Sequence, residues 1–291
     1  MAREPVVTDY ITPIKEILTD KCIDRKRTLH RLIYRSRKIH NRHLGKRHSV
    51  DQTVKKLLDP QWLPKVRNFN PDEWRKTANN IWKRAVKFLG PVACPEIILF
   101  PGFNTFNGRV YKIDNKPVIG GSPDFPHSTG TNLRVLLAHE YAHFARWRKT
   151  GIPYENVPIY ASIYEEGWAT WFSTKLLPDC SLSRLFMSNL HKTINMPDPE
   201  GGYLAWCRKN LNTINTRAQK VLKSKGSKDL GRFFHCKRLR GDKTPIRTGY
   251  YLGYCLIEML SETMTPRQLI NVKPTYKRIS VWLDYMTRMV G

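Results

Sequence analysis

The pattern of apolar and polar positions predicts mostly helices, with one short stretch of strand in the middle of the chain. Over residues 24–48, DRKRTLHRLIYRSRKIHNRHLGKRH, the positions Leu29, Leu32, Ile33, Ser36 and Ile39 recur at i, i+3, i+4 on a background of Lys and Arg. That is an apolar stripe on a basic helix. One reading packs the stripe on a main domain and leaves the charge in water; the other uses the helix on nucleic acid or a membrane surface. His40, His43 and His48 have no acidic or cysteine companions, so they are expected at the surface rather than on a metal. Residues 70–90, NPDEWRKTANNIWKRAVKFLG, predict an amphipathic helix capped by Asn70, with Pro71 in its first turn and Gly90 at its end. Trp74, Ile81, Trp82, Val86 and Phe88 are its expected buried face.

The texture then changes. PEIILFPGF reads as a strand, and GRVYKIDNKPVIGGSPDF as a hairpin or two short strands. Gly120 and Gly121 are either a turn or a place where another backbone, such as a substrate added as an extra strand, comes close. Helical spacing resumes at Thr131 or Asn132, either of which can cap, and runs to about Lys149, where Gly151 and Pro153 stop it. A second helix is expected from about Val157 to Leu177, ended by Pro178. The basic, polar stretch that follows, including KSKGSKDLGRFFHCKRLRGDK, reads as a loop or insertion. TGYYLGYCLIEMLSE is the last strong helix, with Leu252, Cys255, Leu256 and Met259 as its core stripe.

Composition changes this picture in two ways. Fifty Lys and Arg against 24 Asp and Glu give a net charge of +26, which attracts polyanions such as nucleic acid, acidic lipid or acidic protein. No apolar run is long enough to span a membrane, and the N-terminus has no signal-like h-region. An intracellular or virion-associated protein is therefore expected. The six cysteines are scattered without a C-x-x-C and are expected to be reduced.

The candidate chemistry lies in LRVLLAHEYAHFARW. His139-Glu140-Tyr141-Ala142-His143 fits H-E-x-x-H. Four residues apart on a helix, His139 and His143 can point two imidazoles at one ion, with Glu140 beside it. The metzincin extension fails, because its two later positions are Arg146 and Lys149. The remaining common arrangement takes a third ligand from a glutamate on the next helix, and Glu165 and Glu166 lie 22 and 23 residues past His143.

HEYAH followed by EEGWA resembles the gluzincin metallopeptidases, in which the glutamate of an E-G-x-A segment binds zinc. The resemblance implies Glu166 as that ligand. ILFPG, the glycine-rich strand, AHEYAH, EEGWA and GYYLGY stand in the same order as in a bacterial family of predicted zinc-dependent proteases, over about residues 94–262. The implied site has one Zn2+ per chain on His139, His143 and Glu166. Water in the open fourth position has its pKa lowered towards about 7, and Glu140 serves as general base and acid. A second donor is expected for the oxyanion. Tyr250, then Tyr251, is the choice, because Tyr250 to Gly253 resembles the Y-x-x-G of aminopeptidase gluzincins; Tyr254 shares the Tyr250 face. Packing of the helix by these aromatic residues is the competing reading. Arg247 is either a carboxylate-holding or a structural arginine.

Thermolysin-like enzymes often carry an acid four residues after the ligand glutamate, where this chain has Thr170. Asp124 and Glu165 are possible substitutes, and His127 is expected near the cleft without being a ligand. No set of acids beyond Glu165 is evident to hold a free amine, which leans towards an endopeptidase.

The expected architecture is α+β and zincin-like: a small mixed or antiparallel sheet over the H-E-x-x-H helix, with a mostly helical C-terminal part. A basic segment, residues 1–60, precedes a metallopeptidase domain, residues 61–291, with its metal core at 94–178 and its helical part at 179–291. The expected function is zinc-dependent hydrolysis of a peptide or protein. The alternative is a polyanion-binding protein, nucleic acid above all, on the same scaffold.

Overall fold

The computed structural model describes residues 4–45, 48–103, 105–125, 130–153, 156–187, 202–234 and 246–290. The fold is α+β, mostly helical, with one four-stranded mixed sheet. It divides into two compact units: residues 1–84 with 92–144, and residues 85–91 with 145–291.

The first unit holds β1 (Val6–Asp9), α1 (Ile11–Thr19), α2 (Arg25–Arg35), α3 (Arg37–Leu44), α4 (Val50–Leu57) and a 3-10 turn at Leu63–Val66. It continues through most of α5 (Pro71–Leu89), β2 (Glu96–Leu99), β3 (Gly108–Ile113), β4 (Lys116–Gly121) and most of α6 (Gly130–Thr150). The strand order is β1-β2-β4-β3. β1 and β4 run parallel to β2, and β3 runs antiparallel to β4. The expected hairpin is β3–β4. Its two loop residues, Asp114 and Asn115, have φ of 46° and 62°, the left-handed pair that a tight I′ turn requires.

Gly120 and Gly121 are neither a turn nor a seat for an incoming strand. They belong to β4, which β2 and β3 flank on both sides, so no edge is free there. Their lack of a side chain admits rings instead. A Cβ at Gly120 would collide with the Tyr111 ring, and one at Gly121 would lie 2.5 Å from the Trp74 ring.

The basic segment is built into this unit. The stripe is broken into two helices at Ser36, and its apolar positions face inward: Leu29 and Ile33 are fully buried, and Ile39 packs on the cluster of Ile98, Tyr111 and Val118. His40 and His43 are likewise fully buried, against the expectation of surface histidines. Hydroxyl and amide partners make this possible. His40 bonds Thr53 Oγ1 at 2.8 Å and Asn41 Oδ1 at 3.0 Å, while His43 bonds Tyr111 Oη at 3.0 Å and Ser122 Oγ at 3.2 Å. His48 is half-buried.

α5 matches its pattern at both ends. Asn70 Oδ1 accepts from the Asp72 N–H at 2.9 Å, and Gly90 closes the helix with φ of 80°. Trp74, Ile81 and Trp82 are buried; Val86 and Phe88 are half-buried, and Ala78, Ala85 and Leu89 complete the inner face. α6 already begins at Gly130, so Thr131 and Asn132 lie within its first turn and do not cap it. Gly151, φ 70°, ends it and donates its N–H to the Trp147 carbonyl at 2.9 Å.

The second unit comprises α7 (Ile159–Leu176), α8 (Leu182–Met187), α9 (Gly202–Lys209), α10 (Leu211–Gln219), α11 (Ser227–Phe234), α12 (Thr248–Leu260), α13 (Pro266–Asn271) and α14 (Tyr276–Val290). Part of the expected loop is therefore helix. Phe233 and Phe234 bury one side of α11 against α12, and a Cβ at Gly249 would lie 2.6 Å from the Phe234 ring. The rest of that stretch, residues 235–245, lies outside the described residues. α14 is a further helix beyond the last one expected.

α7 and α12 touch through backbone. A Cβ on Gly167 would collide with the Gly253 carbonyl, and one on Gly253 with the Ile163 carbonyl. No helix among the described residues is long and apolar enough to cross a membrane. Among the described residues Cys22, Cys94, Cys180, Cys207 and Cys255 are in no disulfide, and Cys236 lies outside those residues.

Candidate metal centre

α6 and α7 are buried nearly all round, which the sequence encodes as helices with apolar residues on every face. Along residues 135–147 of α6, His139 alone is not buried. His143 is 2% exposed, Glu140 7% and Glu166 3%, so charge and imidazole here sit inside the protein. Ionisable groups at such burial need partners or a metal.

The one-turn spacing has the predicted result. The His139 and His143 Nε2 atoms approach to 3.2 Å, with the rings at 81° to each other. That is a hydrogen-bond distance between the rings, and it also suits two imidazole nitrogens on one metal ion, which stand about 3 Å apart. Glu166, on α7, completes a group whose ligand atoms all lie within 4.8 Å of one another. Among the described residues no other three His, Cys, Asp or Glu side chains are so placed, and this group could hold a metal ion.

Comparison with protein-family models, curated proteins and solved structures found no match.

Glu140 does not belong to the group. It packs at the start of β3, where a Cβ on Gly108 would lie 3.0 Å from Glu140 Cγ and 2.7 Å from Leu136. Gly108 thus lets the strand come close beside this carboxylate.

Glu165 is committed elsewhere. Its Oε1 accepts from Arg146 Nε at 2.7 Å, and both side chains are almost fully buried. Arg146 also donates to the Ile270 and Val272 carbonyls, at 2.8 and 2.5 Å, and lies over the Tyr164 ring at 4.7 Å. The buried guanidinium therefore ties α6 to α7 one turn beyond His143 and one residue before Glu166. Breaking such a pair leaves an uncompensated buried charge.

Asp124 is not a partner for the histidines either. It is 1% exposed and accepts from Trp62 Nε1 at 3.0 Å and from the Gly102 and Phe103 N–H groups at 2.8 Å each. It organises the loop after β2. His127 lies outside the described residues. Thr170 is buried on α7.

At the start of α12, Arg247 has φ of 61°, its carbonyl accepts from Tyr203 Oη at 3.0 Å, and its guanidinium lies 3.9 Å from the centre of the Tyr250 ring. Those contacts accord with the structural reading of this arginine. Tyr250 is half-buried, with Phe234 against it at 5.8 Å. Tyr251 is buried against Phe186, and burial pushes its phenol pKa up. Tyr254 is half-buried, its pKa raised by burial to about 12. Tyr250 precedes Gly253 by one turn on α12, so it stands one turn from the helix crossing at Gly167, the residue after Glu166.

Sequence reasoning missed Arg146, Gly108 and Gly253. Arg146 was informative in the sequence only as a departure from the metzincin pattern. Gly253, the last residue of the Y-x-x-G, and Gly167, in E-G-x-A, become intelligible as a pair once the two helices are seen to touch.

Proposed function

We propose that this chain is a zinc-dependent peptidase of gluzincin type, in which the mixed sheet and α6 form a zincin-like core. The observation that carries the proposal is the 3.2 Å approach of the His139 and His143 Nε2 atoms with a Glu166 oxygen in the same group. Zn–N bonds of about 2.0–2.1 Å in tetrahedral geometry put two nitrogens about 3.3 Å apart. Two histidines and one glutamate leave a position open, as catalytic zinc sites do and structural cysteine sites do not. Bound there, one zinc per chain supplies Lewis acidity to water and to a carbonyl oxygen.

Glu140 follows His139 on α6 and stays out of the ligand group. With zinc bound, its carboxylate would take the proton of the attacking water and deliver it to the leaving amine. β3 is a sheet edge, paired on one side by β4, and its first residue lies against Glu140. An extended peptide can add to such an edge through backbone hydrogen bonds. Tyr250 serves as the oxyanion donor, supported by its position one turn from the Gly167–Gly253 crossing. The engagement of Glu165 by Arg146 removes the one acid that suited a free amine, which favours an endopeptidase.

The test is metal content by mass spectrometry, with a peptide-library cleavage assay on the same samples. Wild type should carry about one zinc per chain, and Glu166→Ala should lose it. Glu140→Gln should keep the zinc and lose about 10²- to 10⁴-fold in cleavage rate. A wild type without zinc, or zinc with undiminished cleavage in Glu140→Gln, would end this reading.

A further inference from the structure

We infer that the outer face of α2, together with the groove between α2 and α4, binds single-stranded nucleic acid, with Arg27, Arg31 and Arg35 on phosphates and Tyr34 stacked on a base. Residues 25–44 contain eight Lys or Arg and no Asp or Glu. On α2 these charges are sorted by face. Leu29 and Ile33 are fully buried, while Arg27, Arg31 and Arg35 form an exposed i, i+4, i+8 row on the opposite side. None of the three arginines is in an ion pair among the described residues. Tyr34 lies beside that row and is 58% exposed. The His30 ring stacks 6.4 Å from it, and the Arg37 guanidinium lies 6.0 Å from its centre.

The adjoining groove encloses about 1000 Å³ and is lined by Lys26, His30, Lys55 and Lys56, with Asp51 and Asp59 as its acids. The three lysines outnumber these two acids.

Three polyanions could answer such a charge, and the geometry separates them. A membrane-surface helix inserts its apolar face into lipid, but the apolar face of α2 is already buried in the protein. An acidic protein would satisfy the arginines but gives no use to an exposed tyrosine set among them. A row of cations beside an aromatic platform is what a single strand needs: phosphates tracked by arginine and a base that is free to stack. A duplex keeps its bases stacked and offers none to Tyr34.

The experiment is fluorescence anisotropy of labelled oligothymidylate and oligouridylate against salt concentration, on the full chain. The affinity should fall with salt, by about 0.7 in log–log slope per phosphate contact. Arg27→Ala/Arg31→Ala/Arg35→Ala should weaken binding more than tenfold and flatten the slope by about 2. Tyr34→Ala should weaken binding about tenfold with the slope unchanged. All three arginines and the tyrosine are on the surface, and circular dichroism checks that the variants fold. Wild-type binding in the triple variant would overturn the proposal, as would tighter binding of the wild type to phosphatidylserine vesicles or to a polyglutamate peptide. Equal affinity for duplex, with Tyr34→Ala silent, would overturn the single-strand assignment. Glu166→Ala should bind as wild type does, so failure here and failure of the peptidase reading are separate results.

Discussion

Two pairs of histidines sit on helices of this protein, one turn apart in each, and they have opposite surroundings. His40 and His43, on α3, are fully buried, and every ring nitrogen has a hydroxyl or amide partner. Around His43 the rings of Phe100 and Phe106 close in at 5.4 and 4.6 Å. His139 and His143, on α6, turn their Nε2 atoms towards each other, with a carboxylate from α7 in the same group. The first pair is finished as it stands, since neutral partners satisfy neutral imidazoles. The second pair brings two Nε2 atoms and an acid within 4.8 Å of one another, an arrangement that could hold a metal ion. Residue type and helical spacing are nearly the same in both. The partners make the difference.

The largest effect should follow from exchanging the pairs as targets. His139→Ala and His143→Ala should each remove the bound zinc and the cleavage that depends on it. His40→Gln and His43→Gln should leave about one zinc per chain. Metal analysis of the four variants checks this, and zinc lost equally from both sets would dissolve the distinction.

The next effect concerns acid. Burial, with Arg109 nearby, lowers the His43 pKa from 6.5 to about 3. Between these values the unfolded chain binds a proton at this site and the folded chain does not, so stability falls as pH falls. The contribution is intact above about pH 6.5. Below that it declines by about 1.4 kcal/mol per pH unit, reaching about 3 kcal/mol by pH 4. Urea midpoints measured from pH 7 to pH 4 should drop steeply in wild type and less steeply in His43→Gln. Equal slopes would show that His43 is not the group that titrates.

The same contrast explains what was legible in the sequence. The pair on α6 could be read because i, i+4 is helix arithmetic and the third residue lies on the next helix. α5 carried its period and both its ends, and α6, α7 and the β3–β4 hairpin were legible as elements, though the cap of α6 and the role of Gly120 and Gly121 were not. The burial of His40 and His43 could not be read, because the decisive hydroxyls of Tyr111 and Ser122 lie 68 and 79 residues from His43. β1 is four residues long, too short for its alternation to register. α9 to α11 lie in a stretch whose lysines and glycines masked apolar seats such as Tyr203, Leu204, Ile214 and Phe233. Arg146 stood out in the sequence only as a departure from the metzincin pattern. Its burial depends on Glu165 and on the carbonyls of Ile270, in α13, and Val272, just after it, which lie more than 120 residues along the chain.

The smallest effect tests how α7 holds its end of the metal group. Gly167 follows Glu166, and a Cβ there would lie 2.6 Å from the Gly253 Cα and collide with its carbonyl. The obstacle is backbone, which cannot swing aside as a side chain would, so Gly167→Ala must push α12 off α7. Overpacking of this kind costs about 1–3 kcal/mol, set against a gain of up to about 1 kcal/mol in helix propensity. A net loss in the urea midpoint is expected, together with weaker zinc binding, because Glu166 moves with the helix. Gly249→Ala supplies the control. It lies on α12, the helix that carries Gly253, but crowds the Phe234 ring of α11 away from Gly167, so it should lower stability and leave zinc affinity as it is. A zinc affinity unchanged by Gly167→Ala at reduced stability would mean that the crossing supports the fold alone and that Glu166 is held by other contacts of α7.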